Sequence, residues 1–189
     1  MKRIAWWLKV GMIAVVVVLV FAAICGFTGD GKATGRVASE GSPKSSTCAA
    51  SAYRRFDFWA GDWDVFDVGS PAKVAHARVD LILDGCVLRE DYQGADGHRG
   101  QSFTIYDATR KVWHQSWVTN RGELLMIEGS FRDGEIVLSG EDRTKNTLVR
   151  GTWRPENHNV REIAVTSTDG GKTWKPWFDL VFRHPDPGR

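Results

Sequence analysis

Five histidines, His76, His98, His114, His158 and His184, are the side chains of this 189-residue chain best suited to catalysis or metal binding. None stands at His-x-His or His-x-x-x-His spacing from another, so no strand or helical face brings two imidazoles to one metal, and no metal site is expected. His98 and His158 fall among turn residues, where solvent accounts for them. His114 lies in a strand-like run, Trp113-His-Gln-Ser-Trp117, where an outward polar position is the simplest account. Glu90, Asp91, Glu128, Glu141 and Glu162 offer carboxylates, but nothing in their spacing holds two at the defined separation that acid–base work requires. There is no Gly-x-Ser-x-Gly elbow, and no cysteine stands beside a histidine that could activate it. Catalysis in a barrel is therefore the second expectation, behind binding without covalent chemistry, and a module with a filled core acting through its surface is the third.

The residues suited to recognition are aromatic and cationic. Of nine tryptophans, Trp6 and Trp7 sit near the N terminus and seven lie between Trp59 and Trp177, where most must fill a core because aromatic rings bury large areas. Tyr106, His114, Trp117, Arg150 and Arg161 stand as polar or amphipathic residues on strand-like faces and would suit a cavity for an amphipathic or anionic small molecule.

These residues must be positioned by strands. From Phe56 onward the chain alternates apolar and polar residues in short runs bounded by Gly, Asp, Asn and Pro, the pattern of an all-β domain without helices. Ten strands are expected, at 56–68, 73–83, 86–93, 101–107, 112–119, 123–131, 135–141, 147–154, 159–167 and 174–183. Asp84-Gly85, Asn120-Arg121-Gly122, Asp133-Gly134 and Asp169-Gly170-Gly171 supply the joints, and the short connections imply an antiparallel up-and-down order. One face of the second strand should carry Ala75, Ala77, Val79, Leu81 and Leu83, and one face of the last should carry Trp174, Phe178, Leu180 and Phe182. A meander of this many strands closes into a barrel or splits, since an open one exposes its edges. Closure is the expectation.

The chain before the barrel reads as delivery apparatus. Lys2, Arg3 and Lys9 precede an uncharged run from Val10 to Phe27, 18 residues that just suffice to span a bilayer. An uncleaved anchor is favoured, followed by a cleaved signal and then lipid attachment at Cys25. All three place residues 53–184 outside the cytoplasm, in the periplasm or envelope, with 28–52 as a tether and 185–189 as a tail. Before Cys48 six basic residues face two acidic ones, a net +4 that leaves −2 for the rest of a chain of net +2. With no basic stripe after residue 55, nucleic acid is not an expected partner; the membrane and a small molecule are. Cys48 and Cys86 form an even pair in an oxidising compartment, and a disulfide is predicted.

Gly61-Asp62-Trp63 on a first strand, followed by about ten antiparallel strands and an arginine near the end, resembles the calycins: lipocalins, fatty-acid-binding proteins and nitrobindin-like barrels. The resemblance implies that Trp63 closes the barrel floor against Arg183. With Asp84-Gly-Cys-Val-Leu88, Trp113-His-Gln-Ser-Trp117 and Ser167-Thr-Asp-Gly-Gly-Lys-Thr-Trp174 added, residues 48–183 look like a family of exported bacterial domains of unknown function grouped with lipocalin-like barrels. That likeness implies fold and export and transfers no catalytic residue. Nitrobindin-like barrels hold haem through a late histidine, but His184 follows Arg183 and precedes Pro185, so no cofactor, haem included, is expected. Ser167-x-Asp169-x-Gly171-x-Thr173-Trp174 also matches the Asp-box of sialidases and other propellers. It occurs once in a domain too short for several blades, and is read as a rigid turn.

Overall fold

Short turns and apolar alternation build ten strands in the computed structural model, which describes residues 47–186 and 188. They are β1 (Gly61–Asp67), β2 (Lys73–Ile82), β3 (Val87–Gly94), β4 (Arg99–Asp107), β5 (Val112–Thr119), β6 (Leu124–Arg132), β7 (Glu135–Asp142), β8 (Thr147–Glu156), β9 (Asn159–Ser167) and β10 (Lys175–Arg183). Each pairs antiparallel with the next, and β1 also pairs with β10, Val65 opposite Phe182, so the sheet closes and no edge is left. The all-β, up-and-down barrel expected from the sequence is thus present. The β6–β7 hairpin turns through Asp133 (φ 52°) and Gly134 (φ 88°), a left-handed pair whose twist matches that of the strands. The anchor and most of the tether lie outside the described residues.

The stretch read as the start of the first strand is a correction. Phe56 to Ala60 does not extend: Asp57–Trp59 is a 3-10 helix, and two more precede it at Thr47–Ala49 and Ser51–Arg54, so a tether running through Ala52 and a helix-free domain are both corrected. A 3-10 turn brings residues three apart to one side, which lets Phe56 and Trp59 drop together into one end of the barrel. Their rings stack at 5.1 Å, and Phe56 meets Trp113 and Trp153 edge-on at 5.7 Å each. Both are almost wholly buried, and with Phe182 they form an aromatic plug. The predicted Cys48–Cys86 disulfide is formed and ties the start of the plug to the β2–β3 turn. Arg54 reinforces the same joint by donating to the Gly85 carbonyl.

Three further expectations are corrected. Trp63 does not meet Arg183. It stacks on His184 with ring centres 4.2 Å apart and donates its indole N–H to the Trp59 carbonyl at 2.9 Å, while Arg183 lies outside over Phe66 at 4.8 Å. Strand parity decides this, because Trp63 points in and Arg183 stands opposite Asp64, which points out. Trp174 does not share the face of Phe178. A bulge between Pro176 and Phe178 resets the alternation, so Trp174 stays outside under Arg150. Leu81 and Leu83 leave the buried face as β2 overshoots the barrel end.

Candidate functional site

The plug fills one end of the barrel and leaves the other open as a cavity of about 660 Å³. Its floor is made by inward side chains from six strands: Glu90 from β3, Gln115 from β5, Ile127 from β6, Trp153 from β8, Glu162 from β9 and Leu180 from β10. Glycines make room for the two large indoles. A Cβ on Gly151 would run into the Trp153 ring, and one on Gly100 would run into Trp117. Tyr92, His98 and Trp117 line one wall in mutual edge-to-face contact, with ring centres 5.9–6.2 Å apart.

Polar groups at the floor form a short internal network. Ser102 donates to Glu90 Oε2 at 3.0 Å, and the Gln115 amide donates to Thr104 Oγ1 at 3.0 Å; all four residues are buried. Burial is the main reason the Glu90 carboxyl rises to about 7, with Ser102 pulling weakly the other way. Glu162 lies deep in the barrel, and the surface it keeps faces the cavity. Burial first, and then the charge of Glu90, raise its pKa well above the usual carboxylate range. The Trp153 indole N–H, directly across the β8–β9 pair, holds that rise back a little from outside hydrogen-bonding geometry and so remains a buried donor without a partner. Tyr92 is pushed up to about 12 by burial and then by the two glutamates. These two carboxyls, which repel each other's charge, are the most perturbed acids facing the interior.

The mouth is charged, and each of its cations is paired with an acid. Lys73 pairs with Asp64 at 3.1 Å, Arg121 with Asp96 at 2.7 Å, and Lys145 with Asp142 at 3.1 Å, while Lys145 also lies over Trp177 at 5.5 Å. Among the described residues no three His, Cys, Asp or Glu side chains converge as a metal site would need.

The structure separates the five residues expected to bind a ligand. Trp117 lines the cavity. Tyr106 points inward at the plug end, against Tyr53 at 5.3 Å and Trp113 at 5.6 Å, and borders a smaller hollow of about 230 Å³. His114, Arg150 and Arg161 are on the outer face. His114 Nδ1 lies 2.9 Å from Glu128, whose carboxyl is held down at about 2 by Arg110 and His114. Arg150 covers Trp174 at 4.1 Å, and Arg161 grips Asp179 with two bonds of 2.8 and 2.7 Å. The expected interior arginines therefore hold the outside of the sheet together, and the anionic ligand that they implied loses its counter-charge.

Sequence reasoning weighed Glu90 and Glu162 only as unpaired carboxylates. The available signal was parity, Leu88-x-Glu90-x-Tyr92 and Val160-x-Glu162-x-Ala164, but Val87, Ile163 and Val165 supply apolar residues to the opposite face, so alternation alone left the inward side undecided. The Asp-box turn is self-contained. Ser167 donates to Asp169 at 2.7 Å, Asp169 accepts from the Thr173 amide and hydroxyl at 2.9 and 2.6 Å, and the Trp174 indole donates to the Gly171 carbonyl at 3.1 Å. These bonds hold the Asp169 carboxyl well below the usual range. No family model matches the chain, and no curated protein matches it.

Proposed function

We propose that this chain is an exported, membrane-tethered, calycin-like barrel that takes a small, partly apolar molecule into its open end without covalent chemistry. The observation that carries the reading is the cavity of about 660 Å³, walled by aromatic and aliphatic side chains, with charged residues around its mouth and a few buried polar groups at its floor. Ligand pockets run from roughly 300 to 1,000 Å³ and share this composition. A barrel whose interior served only stability would be filled to crystal-like density throughout. Export and tethering are supported by the uncharged run from Val10 to Phe27 and by the Cys48–Cys86 disulfide, which suits an oxidising compartment.

Native mass spectrometry with an absorbance spectrum on the exported protein tests the reading without a guess at the ligand. A co-purifying mass of a few hundred daltons is expected, and it should be lost when the cavity is narrowed by Ala164→Phe. An apo mass that no small-molecule library shifts would leave a surface-acting module as the better account. A Soret band would replace the reading with a haem protein.

A further inference from the structure

We infer that the occupant of the cavity is an organic cation, a protonated amine or similar group on an apolar body, whose charge is met by Glu90 and Glu162 while its body packs against Tyr92, Trp117 and Trp153. The inference rests on the binding reading above and narrows it to a ligand class.

Charge distribution comes first. The cavity is lined by six carboxylate residues, Asp67, Glu90, Asp96, Glu123, Asp142 and Glu162, against three cationic ones, Lys73, Arg121 and Lys145. All three cations are at the mouth and each is already held by an acid within 3.1 Å. At the floor there are two carboxyls and no cation among the described residues. An anionic ligand would enter a buried site that holds two acids and no cation, with nothing to offset its desolvation. A cation reverses that balance, since it supplies the counter-charge the floor lacks where the low dielectric makes it count most. Aromatic faces beside the carboxyls add cation–π attraction, which is strongest for indole.

A second observation concerns the indole beside Glu162. The Trp153 indole N–H is buried at the floor with no partner, although Trp153 is only 2% exposed and lines the cavity. Buried donors are almost always satisfied. Ionisation of Glu162 beside a bound cation would offer this N–H a charged acceptor across the β8–β9 pair, so ligand, carboxylate and indole would complete one another.

Binding should then be linked to protons. The groups that act on the two glutamates are Asp91 and Tyr92 on β3 itself, Ser102 from β4 and Trp153 from β8, with the Gln115–Thr104 pair also inside the barrel. His98, the three cations and the remaining acids lie towards the mouth. At neutral pH the arriving cation displaces a proton from the pair to solvent, and the ammonium takes over as counter-charge.

The test uses the full-length chain in lipid nanodiscs, free of detergent, titrated calorimetrically with naphthylethylamine, naphthylethanol and naphthylacetate, three probes that differ only in the polar end. The amine is expected to bind at least about tenfold more tightly than the alcohol at about pH 8, and the acetate more weakly than either. Glu90→Gln with Glu162→Gln should bring the amine down to the affinity of the alcohol. If that double variant does not fold, the intact protein decides: repeating the amine titration in buffers of different ionisation heat should show proton release at about pH 6. Equal affinity for amine and alcohol, tighter binding of the acetate, or no proton release overturns the cation and leaves the binding barrel standing. Failure of all three probes to bind overturns both.

Discussion

Glu90 illustrates how a fold can hold a carboxyl against its ordinary chemistry. Its pKa rises from 4.5 to about 7, because burial strips most of its water and the Ser102 hydroxyl is the side chain that donates to it. In the unfolded chain the same group ionises near 4.5, so between that value and about 7 the folded protein holds the extra proton. Stability therefore falls as pH rises through this window, by roughly 3 kcal/mol for Glu90, and Glu162 shifts in the same direction. Urea midpoints are expected to be higher at about pH 5 than at about pH 8. Glu90→Gln should flatten that dependence and raise stability at the higher pH; an unchanged slope would show that Glu90 is solvated. Glu128 and Asp169 act with the opposite sign, their lowered pKa values giving stability that is lost only in stronger acid.

At the level of elements, the 3-10 turn carrying Phe56 and Trp59 plugs the barrel, and His184, just past β10, stacks on the neighbouring Trp63. Phe56→Ala empties a site bounded by Trp59, Trp113 and Trp153 and should cost about 3–5 kcal/mol by chemical denaturation. Trp63→Phe keeps the bulk but loses the bond to Trp59, and should cost about 1–2 kcal/mol. Arg183→Ala on the outer face should change stability by less than about 0.5 kcal/mol. Were Arg183 the larger loss, the calycin-type Trp–Arg closure would be restored and the stack on His184 demoted. The Asp-box turn is similarly local: Asp169→Ala should abolish hydrogen-exchange protection at the Thr173 amide while leaving β1 to β8 protected.

For the whole molecule, the barrel divides into a plugged end that holds it together and an open end that can do work. The disulfide belongs to the first, spanning 38 residues between the turns that precede the plug and the β2–β3 joint. Serines at Cys48 and Cys86 should lower stability by up to about 4 kcal/mol on the chain-entropy account, without altering the cavity. The open end should respond only to ligand: a hundredfold excess over Kd is expected to stabilise the fold by about 2.7 kcal/mol, readable as a rise in Tm.

Strand count, closure, order and disulfide were legible in the sequence because each rests on local information: alternation, turn residues such as Asp133-Gly134, and an even cysteine pair beyond the apolar N-terminal run. The N-terminal apolar run is legible for the same reason, as hydropathy needs no fold. Tertiary structure decided what faces inward. Phe56 and Trp59 have the composition of a strand but lie where the barrel needs a stopper, and burial of both rings outweighs their β propensity. One bulge at Pro176 to Phe178 sends Trp174 outside, and one step of parity exchanges Arg183 for His184 under Trp63. The acids at the cavity floor are the clearest case. Period-two alternation names two faces without saying which is inner, and only closure of ten strands puts Glu90 and Glu162 within reach of each other while turning Arg150 and Arg161 to the outer face.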